Sequence, residues 1–433
     1  MSNLDAETVQ FVRETMIPPS APPGRETGAV KWMRENLFSS WFNVIMTLLA
    51  IWFIWHFFVP MIPWFVNGVW NADSLRECRE ILDGRTGGCF AVLSERWKQL
   101  LFGFYPQTEY WRPILMFIWL AVAAAPIMFD NLPRKLLIAT AIYPFAMVWL
   151  IWGGSIWGVL SVAAGFGLGY VAFKFADRKL EGLIPLLVGL AVAVVWWLFL
   201  RGPVAGGLQS ILPFGLPSVG SRELGGFLIC LIIGVSGIAL SLPIGIILAL
   251  GRISNLPLVK MICVGFIEFI RGVPLITLLF VASLLLNYFL PPKVTFDLVL
   301  RVIVMVTLFS SAYLAEVIRG GLAALPKGQY EAADALGLSY WQAQRLIIMP
   351  QALKISIPGI VNSFIGLFMD TSLVMFIGIF DMLGLAKAIR ANTAWIGIYW
   401  ELYIFIGLVF WVCCFGMSQY SQWLERKLRT DHH

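Results

Sequence analysis

The sequence predicts an all-α, polytopic membrane protein with about ten transmembrane helices, and three observations carry that fold class. Of 433 residues, 59% are hydrophobic and only 13% charged, with a mean hydropathy of +0.81; ordinary soluble domains hold about 25% charged residues. The apolar residues fall in runs about 20 long, the length an α-helix needs to cross about 30 Å of hydrocarbon. With those runs come 19 tryptophans, as aromatic anchors do at both membrane interfaces. The alternating strands of about ten residues that would build a β-barrel are missing from the sequence.

Ten apolar segments can be drawn, centred near Ile54, Trp119, Pro144, Ala163, Val192, Ile238, Leu275, Val306, Leu367 and Val409. Residues 1–38 are read as a polar cytoplasmic tail without a cleavable signal, because the first apolar run, Trp41 to Phe65, lacks a small-residue cleavage site. His56 in that run reads as an interface residue rather than a proton relay. An even number of spans puts both termini on one side, and lysine and arginine choose that side. Lys31 and Arg34, Arg134 and Lys135, Lys174, Arg178 and Lys179, Arg252 and Lys260, and Arg426, Lys427 and Arg429 all fall on the same face. Both termini are therefore expected in the cytoplasm. Positive residues placed beside spans are orientation signals, so the net charge of +6 does not point to nucleic acid.

The loop at 67–112 lies on the opposite, outer side. It balances six basic residues with six acidic ones and is long enough to weaken the charge rule. Cys78 and Cys89 fall in it, and an oxidising compartment would let them close a short ring. Their spacing fits no zinc pattern. Cys230, Cys263, Cys413 and Cys414 sit in apolar runs and read as small buried hydrophobes. In "CFAVLSERWKQLLFGFYP" apolar and charged residues alternate at helical spacing, as in a helix lying on the outer leaflet; the alternative is a helix packed on the loop itself. "GFGLG", Gly165 to Gly169, has the small-xxx-small spacing that lets another helix approach, or that serves ordinary packing.

One span is too long. From Leu256 to Leu290 a continuous helix would reach roughly 50 Å at 1.5 Å per residue. It must tilt, protrude or break, and "EFIRGVPLITLLF" supplies a break: Pro274 donates no backbone hydrogen bond and Gly272 relaxes the chain before it.

Between the eighth and ninth spans lies a polar insert. Pro326 suits a first helical turn, the helix runs through Leu336, and Gly337 is a good left-handed cap. Ser339 with Gln342 makes a capping box for a second helix that Pro350 should end. Ala332, Ala333 and Ala335 make the first helix thin enough to enter a groove on a partner, with Glu331 and Asp334 toward the rim. An amphipathic helix on the bilayer surface is the alternative, but it would carry more lysine and arginine.

At these residues the chain resembles a family. "EAADALGLSYWQAQRLIIMPQAL" resembles the EAA signature of permease subunits of bacterial ABC importers. "EFIRGVPL", "AEVIRGGLAALPKGQYEAA" and "MDTSLV" resemble the polar amino-acid branch. The likeness covers about half the chain, from Gly225 onward; Met369 stands where that branch often has lysine before "DTSL". The longer first half looks like that of the general L-amino-acid permease subunits.

The resemblance implies a five-helix type I ABC importer permease core at 225–425, with a coupling segment at 326–356. A five-span extension at 39–224 would precede it and a cytoplasmic tail at 426–433 would follow, in the bacterial inner membrane. It implies a second related permease, an ATP-binding cassette ATPase dimer and a periplasmic amino-acid-binding protein as partners. Coupling would rest on Glu331, Ala332, Ala333, Asp334, Ala335 and Gly337. No phosphate-binding Gly-xxxx-Gly-Lys-Ser/Thr loop occurs in the chain, so ATP and Mg are expected in the partner ATPase, with no cofactor, metal site or catalytic residue here.

A carried amino acid presents two charges. Arg271 and the half-helix amino end at Gly272 and Pro274 are expected to meet its carboxylate. Asp370 or Glu268 would meet its ammonium, with hydroxyls from Thr371 and Ser372. Alternatively Glu268 and Arg271, and likewise Glu316 and Arg319, simply neutralise each other three residues apart on a helix. A secondary carrier would show repeated intramembrane acids and internal repeats, which are not apparent. An enzyme would need a nucleophile or metal cluster that three histidines poorly supply.

Overall fold

The computed structural model describes residues 28–129, 131–180, 184–285, 288 and 296–428. Most of the N-terminal tail, Arg429 and the two C-terminal histidines lie outside them. Among the described residues nine helices are long and apolar enough to cross a membrane, and the bent pair Pro257–Gly272 and Leu275–Leu285 makes a tenth candidate. Each of the ten expected centres falls in one of them.

The chain divides into two units. The smaller holds residues 1–69 and 82–88. In it Ser40 caps the Trp41–Phe58 helix, its Oγ accepting from the Asn43 N–H at 3.3 Å. Met61–Val66 then extends the span. Gly88 N–H closes the unit by donating to Trp64 O at 2.8 Å. None of the most apolar window of this span is buried.

In the larger unit, residues 70–81 and 89–433, the Leu298–Ala323 helix is the most enclosed, with 61% of its apolar window buried. It packs along Gly226–Ile253, where small residues allow close approach. A Cβ at Gly245 would stand 2.8 Å from that of Leu314. A cluster of Ala249, Ile267, Leu314, Ile318, Ile348 and Ala352 fills the space between these helices and Met349–Asp370. Elsewhere Ile156–Ala176 crosses Ile184–Val195 at Gly169 and Gly189, each facing the other's carbonyl. The "GFGLG" glycine therefore has a packing role.

The break in the long segment falls where Gly272 and Pro274 put it. The first helix ends at Gly272, Val273 is extended, and the second starts at Leu275, bent by 101°. Steric conflict with the proline ring drives Val273 out of the helical region.

Two expectations need correction. The helix Ala91–Phe102 does not lie on the outer leaflet or on its own loop: it buries Ala91, Val92, Leu100 and Phe102 against the core helices. Trp395 Nε1 donates to its Glu95 at 3.0 Å, and the Cys89 N–H donates to the buried Glu401 at 2.8 Å. Cys78 and Cys89 form a disulfide with Cα atoms 5.9 Å apart. Nor does Pro350 end the second insert helix. Gln344–Ile348 widens into π turns, which accommodate the ring, and the chain passes into Met349–Asp370 as one 38-residue segment, Tyr340–Ile377.

Candidate functional site

Three features converge on the Leu298–Ala323 and Met349–Asp370 helices. The first is a cavity of about 310 Å³ between them. Val306, Phe309, Ser310 and Tyr313 form one wall, and Asn362, Ser363, Gly366, Leu367 and Asp370 form the other. Leu275, first residue after the broken span, closes it. The wall residues recur at three- and four-residue spacing because each comes from one face of a helix. One wall sets Val306 and Phe309 beside the hydroxyls of Ser310 and Tyr313; the other carries hydroxyl, amide and a single carboxylate, the composition of a small polar ligand site.

Of the seven expected path residues, only Asp370 lines this cavity. Thr371 is fully buried and its hydroxyl donates to Phe368 O at 2.7 Å, so it is spent within its own helix. Ser372 is half-buried and outside the lining; Gly272 and Pro274, which shape the break, are exposed and also outside it. Arg271 and Glu268 are turned elsewhere.

They join the second feature, a charge network tying three helices. Arg252 Nη1 pairs with Glu268 at 2.8 Å and its Nε with Glu316 at 3.0 Å. Glu316 also meets Arg319 at 3.1 Å and Arg271 at 3.9 Å. The expected Glu316–Arg319 pair is therefore present, whereas Glu268 has taken Arg252 instead of Arg271. The side chains remain 16% to 56% exposed, with Glu316 the most covered member and the one shared by three arginines. The Arg271 guanidinium also lies over the Tyr313 ring at 5.3 Å, beside the cavity but outside its wall.

The third feature is the polar insert. Lys327–Ala335 is a separate short helix ending before Gly337, whose φ is +69°, the left-handed conformation expected of a cap. Ser339 N–H and Oγ–H both donate to Gln342 Oε1 at 2.9 Å, starting the next helix. Tyr330 packs on the buried cluster and Gln329 accepts from Gln351 Nε2 at 3.0 Å. Ala333 is correspondingly buried, at 1% exposure, and faces its own chain rather than a partner. Glu331, Ala332, Asp334, Ala335 and Gly337 are exposed.

Sequence reasoning missed Ser310, Tyr313 and Asn362 as wall residues, and Arg252 and Gln351 as anchors. Polar residues inside apolar runs were the available signal for the first three. No local pattern marked the last two.

Comparison with known proteins gives the family. Residues 241–430 match the family described as binding-protein-dependent transport system inner membrane component. The chain is 56% identical, over 98% of its length and 99% of the relative's, to the glutamate/glutamine/aspartate/asparagine transport system permease protein BztC of Rhodobacter capsulatus. It is 38% identical, over 95% of its length and 96% of the relative's, to the inner membrane amino-acid ABC transporter permease protein YhdY of Escherichia coli. A crystal structure of an amino acid ABC transporter with histidines aligns with 46% of this chain and 91% of its own, at 30% identity and a TM-score of 0.42. The chain belongs to the binding-protein-dependent inner membrane components and is a multi-pass permease subunit of an amino-acid ABC transporter.

Proposed function

We propose that this subunit forms half of a translocation path for L-amino acids and takes its driving force from ATPase subunits through the Lys327–Ala335 helix. One observation carries the reading. The two helices that flank the polar insert, Leu298–Ala323 and Met349–Asp370, are the same two that face each other across the cavity. A push on the insert is therefore a push on both cavity walls. In this reading both termini and the insert lie in the cytoplasm, and residues 39–224 form an extension before a transport core at 225–425. A second related permease completes the path, an ATPase dimer binds ATP and Mg, and a periplasmic amino-acid-binding protein delivers the solute. Asp370 meets the substrate ammonium, since it is the one carboxylate among the described residues of the cavity wall. The likeness to BztC favours glutamate, glutamine, aspartate and asparagine as substrates.

The test is Glu331→Ala in the transporter purified from its native operon. ATPase co-purification and ATP-driven uptake should both fall. Unchanged association and uptake would overturn the coupling assignment, and uptake by this chain alone without nucleotide would restore the secondary carrier.

A further inference from the structure

The cavity has a charge imbalance. Among the described residues Asp370 is its one charged wall residue, and no lysine, arginine or histidine lines it. Arg271, the side chain best suited to a carboxylate, is engaged with Glu316 at 3.9 Å and with the Tyr313 ring at 5.3 Å. A zwitterion whose ammonium meets Asp370 would find only neutral donors for its carboxylate.

One of those donors is unusual. Ser310 is 4% exposed, lines the cavity opposite the Asp370 helix, and its Oγ has no hydrogen-bond partner among the described residues. Helical serines commonly return their hydroxyl to a carbonyl one turn back. Ser311 does so to Leu308 O at 2.8 Å, and Ser363 to Gly359 O at 2.9 Å. Ser310 keeps its hydroxyl free at a buried position, where an unsatisfied polar group is costly. Thr307 also lacks a partner but lies outside the cavity lining; position in the wall, together with the free hydroxyl, singles out Ser310.

We infer that Ser310 donates a hydrogen bond to the α-carboxylate of the carried amino acid, and that this subunit recognises that carboxylate through neutral donors, with Tyr313 and Asn362 beside it, rather than through arginine. The inference rests on the cavity being the substrate path proposed above. It makes Ser310 a specificity-determining residue: solutes bearing an α-carboxylate are favoured over amines that lack one.

The test is equilibrium binding of L-glutamine and of L-glutaminamide, in which the α-carboxylate is a carboxamide, to the detergent-purified complex. Ser310→Ala removes one oxygen from a small side chain, and monodisperse elution checks that the complex is intact. It should weaken L-glutamine binding about tenfold, the scale of a hydrogen bond to a charged group, and leave L-glutaminamide binding unchanged. Equal loss for both ligands overturns the carboxylate assignment. Asp370→Asn separates the two readings. If it weakens binding while Ser310→Ala does not, the Ser310 inference fails and the cavity stands; if neither substitution has an effect, both fail.

Discussion

Replacing Gly321 by alanine sets two effects of known size against each other. At this position on Leu298–Ala323 a Cβ would stand 2.5 Å from Ala352 O and would overlap Ser356 Oγ. Backbone cannot yield as a flexible side chain does, so Met349–Asp370 must move away by about 1 Å to restore ordinary contact distances. The Ser356 Oγ to Val317 O hydrogen bond, 3.3 Å long, is lost in the process. Overpacking of this kind costs about 1–3 kcal/mol, whereas exchanging glycine for alanine inside a helix returns about 1 kcal/mol. Gly320 supplies the control. Its Cβ would meet nothing within 4 Å, so Gly320→Ala collects the helix term alone. The difference between the two variants isolates the packing cost, about 1–3 kcal/mol. Thermal unfolding of the purified complex, followed by tryptophan fluorescence, should place Gly321→Ala clearly below Gly320→Ala. Equal midpoints, or the reverse order, would refute the close helix contact from which the cost is worked.

Two further outcomes are expected. Joint Cys78→Ser and Cys89→Ser substitution removes a disulfide with a sequence separation of 11 and, on loop-closure entropy, costs about 3 kcal/mol; limited proteolysis should cut the 67–112 loop faster in that variant, and reductant should reproduce the effect in the natural protein. Asp381, buried at the start of Met382–Arg390, has its carboxyl pushed up to about 6 by burial, despite N–H bonds from Gly384 and Leu383. Between pH about 4 and 6 the folded state therefore holds this proton more tightly than the unfolded state, so stability is greatest below that window and falls as pH rises through it, by about 3 kcal/mol. Asp381→Asn keeps the cap acceptor and removes the charge, so its melting midpoint should lose this part of the pH slope.

The spans, the break at Pro274 and the insert helix were legible because each rests on local chemistry: apolar run length, a missing N–H, a left-handed glycine. The partners of those elements were not. Helical spacing correctly marked an apolar face on Ala91–Phe102 but could not say that core helices, rather than lipid, cover it. Glu268 and Arg271 share a helix three residues apart, yet Glu268 pairs with Arg252 sixteen residues away, because helix rotation and depth decide which charges meet. Pro350 failed as a stop for a related reason: π turns ahead of it admit the ring without breaking the chain. Ser310 stands in an apolar run next to Ser311, and sequence alone treats the two as equivalent; only the geometry shows which hydroxyl is spent on its own helix.

Within its own unit the Trp41–Val66 segment buries none of its most apolar window, so what its sequence supplies there is apolar length. A single lysine at its centre would be felt at once, as a failure to insert rather than a failure to pack.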